Sequence, residues 1–227
     1  RNFIDSIYEK HERIRIIMTG AGTSAFAGDT LVPELNRQNQ YNVYFESIAT
    51  TDIVSNPAEY LVEDEPTIMV SFARSGNSPE SLAAVSLAKK MIKNFYQVNI
   101  TCNKEGKLAK SSEGDKNSLT ILTPEQANDQ SMAMTSSFSN MILAAYLLFS
   151  STPINQSGID QVISSGEHFV QSITDTIEQI LEFDFERVIY LGSGLLGQLS
   201  HEAALKMLEL TAGKVVAVNE TSLGFRH

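Results

Sequence analysis

The chain has 227 residues, room for one large domain or two ordinary ones, and 42% are hydrophobic, which suits a globular protein with a substantial core. A formal charge of -10 and a pI near 4.9 argue against nucleic acid as a partner, because a phosphate backbone calls for a positive footprint. No run approaches the ~18 uninterrupted apolar residues of a spanning helix and nothing resembles a signal peptide, so no membrane partner is expected and the cytoplasm is the expected compartment.

In chain order, residues 1–12 form the tail of an amphipathic helix with Phe3, Ile4, Ile7 and Tyr8 on one side. Residues 13–18 give a strand, and Gly20-Ala-Gly-Thr-Ser24 turns it into a helix reaching about Gln38, in which Pro33 predicts a kink. Residues 42–46 form the second strand, followed over 50–57 by a polar loop with one short helical turn at most. Residues 67–72 form a mostly apolar third strand, as in a sheet covered on both faces. The hydroxyl-rich Ser71-Phe-Ala-Arg-Ser-Gly-Asn-Ser-Pro-Glu-Ser81 then leads into a helix to about Lys93. Strands over 96–101 and 118–122 flank a short helix at 106–112, and a long helix runs over 131–149.

Strands alternating with helices at this spacing predict an α/β fold, a three-layer α-β-α sandwich around a parallel five-stranded sheet. Right-handed crossovers bring 20–24, 71–78 and 123–137 to the carboxyl edge of that sheet. The polar stretch 150–158 reads as a linker and places a domain boundary, with residues 1–150 as one complete domain. Beyond it come a helix over 159–181, a strand over 187–191, the turn Gly192-Ser-Gly-Leu-Leu-Gly197, a helix to about Ala212 and a strand over 214–218. Residues 159–227 thus look like the start of a copy of the first domain, truncated. The beginning at Arg1 and the end at Gly224-Phe-Arg-His227 lead us to expect a fragment of a longer protein.

Several constellations carry chemistry. In 71–81, Ser75 and Ser78 project hydroxyls around a helix N-terminus, Gly76 lets the main chain come close, and Arg74 is placed to clamp an anion. Pro79 suits the first helical turn and Ser78 the cap. A phosphate cradle and an ordinary capped turn both satisfy these residues. Gly192-x-Gly-x-x-Gly197 fits the dinucleotide fingerprint and Gly20-x-Gly-x-x-Ala25 its looser form, with Glu46 where a ribose-binding carboxylate would sit. Thr23, Ser24 and the second anion cradle count against a dinucleotide, and we read 192–197 as a tight turn with close helix packing. Glu202, Lys206 and Glu209 fall at i, i+4 and i+7, either an acid–base group in a cleft or a solvated stripe. Thr135, Ser136 and Ser137 either face the same rim or pack inside a helix capped by Ser131. His227 is either an acid–base imidazole or simply exposed, and His11, His168 and His201 lack metal spacing, so neither metal nor cofactor is expected. The one cysteine, Cys102, excludes an intrachain disulfide, suits a reducing compartment and is expected to be a small buried side chain.

Taken in collinear order, Gly-Ala-Gly-Thr-Ser24, Ser71 to Ser81, Met-Thr-Ser-Ser137, Glu-Ala-Ala-Leu-Lys-Met-Leu-Glu-Leu-Thr-Ala-Gly213 and Gly-Phe-Arg-His227 resemble the sugar isomerase (SIS) family. The resemblance is closest to the branch of tagatose-6-phosphate ketose/aldose isomerases and galactosamine-6-phosphate deaminases. It implies SIS domains with sugar phosphate at the strand ends, the phosphate held by Thr23, Ser24, Ser75 and Ser78 with Thr135 nearby. It also implies that Glu209 moves a proton between C1 and C2, that Lys206 lies near the sugar, and that His227 opens the ring, in this family sometimes from the neighbouring subunit of a dimer. Arg74 replaces a glutamine, and Ala73 a serine, of the related glucosamine-6-phosphate synthase. The expected function is that of an aldose/ketose isomerase of a phosphorylated sugar or aminosugar, deaminating in the latter case, acting as a homodimer without cofactor. The rival is a non-catalytic sugar-phosphate-binding regulatory module.

Overall fold

The computed structural model describes residues 1–38 and 42–226. Five strands, β1 (Ile14–Thr19), β2 (Val43–Ser47), β3 (Thr67–Ala73), β4 (Phe95–Thr101) and β5 (Ser118–Leu122), form one parallel sheet in the order β2-β1-β3-β4-β5. β1, β3 and β4 are buried at every position, as strands covered on both faces must be, while β5 at the edge is only half-buried. The period of two divides each central strand between two cores. Ile16, Met18, Ile68, Val70 and Phe72 join one, with α1 (Asn2–Tyr8), α2 (Thr23–Arg37) and α7 (Ser136–Phe149) packed over them. Ile17, Met69 and Ala73 join the other, beneath α3 (Thr50–Ser55) and α5 (Pro79–Met91). The sandwich with five parallel strands is therefore as the sequence predicts.

Several boundaries differ. The loop expected over 50–57 is mostly helical, as α3 and the one-turn α4 (Pro57–Tyr60), with Pro57 in the first turn where it sacrifices no hydrogen bond. α2 carries Pro33 inside and continues to Arg37. α6 (Lys107–Lys110) is a single turn, and α7 starts at Ser136 instead of Ser131. The stretch proposed as a linker is held at its start, since the Ser150 and Ser151 hydroxyls donate to the Gln38 side-chain and backbone oxygens at 2.7 and 2.9 Å. Its end is already helix: α8 (Gln156–Ser172) begins there, capped by the Asn155 side chain, which accepts from the Gly158 N–H at 2.7 Å. The long helix predicted to Leu181 divides at Ile173 into α8 and α9 (Thr174–Leu181).

β6 (Arg187–Leu191) and β7 (Val216–Glu220) pair in parallel, connected by α10 (Leu195–Leu210), which lies against α2. This crossing of α10 over α2 is what joins the second sheet to the first. Among the described residues no helix is long and apolar enough to cross a membrane.

Candidate active site

The carboxyl ends of β1 and β3 supply the site, as a parallel sheet requires. β3 ends at Ala73, the chain reverses through Gly76 at φ +64°, and α5 starts at Pro79. The turn is held from the neighbouring loop. Asn103 donates its side-chain amide to the Ser75 carbonyl at 3.0 Å, the Lys107 N–H donates to Asn77 Oδ1 at 3.0 Å, and the Leu108 N–H donates to the Gly76 carbonyl at 2.9 Å. Gly106 permits this contact, because a Cβ there would stand 2.5 Å from the Ser75 carbonyl oxygen. A cavity of about 170 Å³ opens beside the turn, lined by Ser24, Arg74, Ser75, Ser78, Glu80, Ser81 and Met134 among others.

Three helices begin at this rim, and their free N-terminal groups are used differently. At α7 the place is taken. The Asp129 carboxylate accepts from the N–H groups of Thr135, Ser136 and Ser137 at 2.9–3.0 Å, and from the Thr135 and Ser137 hydroxyls. Burial alone would raise the Asp129 carboxyl, but these hydrogen bonds outweigh it and hold the group well below the usual carboxylate range. Thr135 is thus the N-cap residue of α7 and spends its hydroxyl on Asp129, away from the cavity lining, while Ser131 donates to the Ala133 carbonyl and caps nothing. At α2 the first amides are satisfied internally, Ser24 N–H by the Ala21 carbonyl and Ala25 N–H by that of Gly22. At α5 no side chain caps the helix: Ser78 sits at the cap position, yet its hydroxyl donates to Ser81 Oγ at 2.8 Å. The α5 terminus therefore offers amides and three serine hydroxyls to one cavity, the arrangement an anion favours.

Arg74 lines the same cavity while its guanidinium donates to the Ser131 and Met132 carbonyls at 2.8 and 3.2 Å. It therefore ties the segment before α7, including Met134, to the cradle.

The second cluster lies where α10 meets α2. The Thr23 hydroxyl donates to Glu202 Oε1 at 3.1 Å and accepts from Lys206 Nζ at 2.9 Å. Lys206 also donates to Glu209 Oε2 at 2.5 Å and stands 3.4 Å from Glu202 Oε1. These groups are not a solvated stripe, because α2 covers them: Glu202 is 6% exposed, Ala204 is buried beside it, and the Phe26 ring stacks on His201 with centroids 4.3 Å apart. Burial pushes the Glu202 carboxyl up, against the pull of Lys206 and the Thr23 hydrogen bond. A carboxylate in direct contact with an ammonium, partly shielded from water, is equipped to take and return a proton. Thr23, Lys206 and Glu209 are thus brought together; Ser24, Ser75 and Ser78 gather at the cavity. His227 lies outside the described residues.

The remaining candidates fall elsewhere. Glu46 is paired with Arg15, Nε to Oε2 at 2.5 Å, which commits the carboxylate that a ribose would need. Cys102 is half-buried instead of buried, and desolvation raises its thiol, so it remains a thiol near neutral pH. The sequence did not single out Ser81, Met134 and Asp129 as parts of the rim. Ser81 is recognisable after the fact, since it follows the capped turn by one helical step; Asp129 gives no local signal, lying six residues before the cap it serves.

Residues 8–151 match the SIS domain family. The chain is 40% identical, over its whole length, to the D-galactosamine-6-phosphate deaminase AgaS of Escherichia coli O157:H7, covering 58% of that protein. It is 44% identical over 95% of its length to the protein of that name from Shewanella sp. strain ANA-3, covering 55% of it. The chain thus spans a little over half the length of the curated relatives it matches. Among solved structures, the tagatose-6-phosphate ketose/aldose isomerase of Escherichia coli superposes with a TM-score of 0.91 at 40% identity, over all of this chain and 61% of that one. The match over 8–151 covers the whole five-stranded sheet and the hydroxyl cradle, and the chain belongs to the SIS domain family.

Proposed function

We propose that this chain carries the substrate site of a sugar-phosphate aldose/ketose isomerase, one that deaminates an aminosugar phosphate of the galactosamine-6-phosphate type to the tagatose-6-phosphate type. The observation that carries the reading is the adjacency of Thr23 and Ser24. Ser24 faces the cradle and Thr23 is bonded to Lys206, so one helix start joins an anion site to an acid–base pair.

In this reading the phosphate rests on Ser24, Ser75, Ser78 and Ser81 at the α5 terminus, with Arg74 adding positive charge. Lys206 holds a sugar oxygen. Glu209 takes the proton from C2 of the open-chain aldose and returns it to C1 through an enolamine, and water then hydrolyses the C2 imine to the ketose and ammonia. With a hydroxyl at C2 the same transfer is a simple isomerisation through an enediol. His227 assists ring opening. The reading further takes residues 1–150 as one SIS domain and 159–227 as the start of a second, and the protein as a cytoplasmic homodimer; the exposed apolar faces of α8 and α10 support an assembly.

The test is an ammonia-release and ketose-formation assay on the full-length protein with galactosamine-6-phosphate, glucosamine-6-phosphate and tagatose-6-phosphate side by side. Ammonia from an aminosugar phosphate supports the reading, and Glu209→Gln should then lower kcat by about 10²–10⁴-fold with phosphate-ligand affinity within a few fold. Tight binding with no turnover of any of the three overturns it in favour of a sugar-phosphate sensor.

A further inference from the structure

We infer that Thr23 and Glu202 are positioning residues that fix Lys206 beside Glu209, and that the Thr23 hydroxyl serves this contact instead of a bound phosphate. The inference rests on the reading of Lys206 and Glu209 as the working pair. Thr23 is 4% exposed, and its hydroxyl has a single proton, which goes to Glu202 Oε1 at 3.1 Å. It accepts from Lys206 Nζ at 2.9 Å. Both of its functions are thereby used, and Thr23 does not line the cavity that Ser24 lines.

Lys206 is held by two hydrogen bonds, to Thr23 Oγ1 and Glu209 Oε2, and stands as an ion pair 3.4 Å from Glu202 Oε1, which leaves its third N–H for a sugar oxygen. A lysine on a four-carbon stem loses considerable rotamer freedom in taking one place, and here folding, not substrate, fixes it. Glu202 Oε2 is buried with no hydrogen-bond partner among the described residues, so this carboxyl is anchored through Oε1 alone, by Thr23 and Lys206. Thr23 is 179 and 183 positions from its two partners. The start of α2 therefore sets where the lysine of α10 stands while the next residue faces the anion.

Three variants of the full-length protein, Thr23→Val, Thr23→Ser and Glu202→Gln, separate this role from phosphate binding. The readouts are the rate at which acetic anhydride modifies Lys206, followed by mass spectrometry, and the Kd for inorganic phosphate. Thr23→Val should speed Lys206 modification by about 10-fold, Thr23→Ser should return it toward the wild-type rate, and phosphate Kd should stay within about 2-fold, because the charge-assisted hydrogen bonds to Lys206 and Glu202 are lost and none to the anion. Should Thr23→Val fail to fold, Glu202→Gln reports alone, with an expected rise of about 3-fold in modification. Unchanged modification of Lys206, or a phosphate Kd weakened about 10-fold or more by Thr23→Val, overturns the inference. In the active enzyme Thr23→Val should lower kcat by about 10–100-fold and leave KM within about 2-fold. If the wild type turns over no sugar phosphate, the functional reading fails, while the modification and phosphate measurements still decide this one.

Discussion

The molecule contains the same glycine turn twice, and only one copy faces a site. β1 enters α2 through Gly22 at φ 55° and ψ -131°; β6 enters α10 through Gly194 at φ 59° and ψ -130°. Each turn also needs a bare position two residues earlier, since a Cβ on Gly20 would stand 2.6 Å from Ser24 and one on Gly192 2.3 Å from the Leu196 carbonyl. The backbone device is shared, and the residues that follow it are not. Thr23 and Ser24 are buried hydroxyls, one bonded across to α10 and one lining the cavity, whereas Leu195 and Leu196 are 40% and 64% exposed apolar side chains. A strand-to-helix glycine turn is therefore a folding element first. Its side chains decide whether it becomes a binding element.

The two turns also differ in how much they support. β1 lies between β2 and β3, while among the described residues β6 has β7 alone. Replacing Gly20 by alanine should consequently lower the unfolding free energy by about 3 kcal/mol, the upper range for forcing an atom into packed structure. Gly192→Ala should cost less, about 1 kcal/mol. Urea midpoints with unchanged slopes would check this, and equal losses would mean that the second turn is as firmly built into the fold as the first. The next effect is chemical. Ser24→Ala should weaken inorganic phosphate by about 10–100-fold, the worth of a hydrogen bond to a charged group, and Leu196→Ser at the corresponding place in the second turn should gain nothing. Calorimetric titration distinguishes the two; an anion captured by the serine variant of the second turn would show that backbone geometry alone suffices.

Much of this contrast was legible in the sequence. The strands announce themselves through short, mostly apolar runs, and the turns through their glycines, because local backbone requirements leave local marks. Ser24, Ser75 and Ser78 were placed at one rim by topology alone. Spacing does not decide between the readings of Glu202, Lys206 and Glu209, since the same pattern on an uncovered helix is a solvated stripe; the packing of α10 on α2, which joins residues about 180 positions apart, is what buries Glu202 and partly buries the other two. The start of α7 departs from the expected Ser131 for a similar reason. Ser131 looks like a cap, but Asp129 folds back over six residues to do that work. The division of α8 from α9 at Ile173 has neither glycine nor proline to mark it.

Asp129 offers a smaller perturbation that sharpens the difference between an occupied helix start and an open one. Asp129→Asn should cost about 1–2 kcal/mol near neutral pH, as loss of a good cap does. The sign of its pH dependence follows from the depressed carboxyl. Its stabilisation is present above the ordinary value of 3.8 and is lost as the pH falls through that value and further below. The gap between wild type and variant should therefore be constant from pH 7 to about pH 5 and shrink below about pH 4. A gap that widened in acid would contradict the hydrogen-bond account.

The smallest effect belongs to a helix that contributes nothing to the site. α8 carries no buried residue, and Phe169 on it is 60% exposed. A large apolar side chain in that position contributes little to the folding of the chain that bears it, so Phe169→Ser should change the unfolding free energy by less than about 0.5 kcal/mol. What it should change is association, because apolar surface left open is the surface that seeks another. Sedimentation at increasing concentration should show less self-association in Phe169→Ser than in the wild type, at unchanged thermal midpoint. A variant that unfolds earlier, with association unaltered, would place Phe169 inside the fold and remove the contrast between the covered first half and the open second.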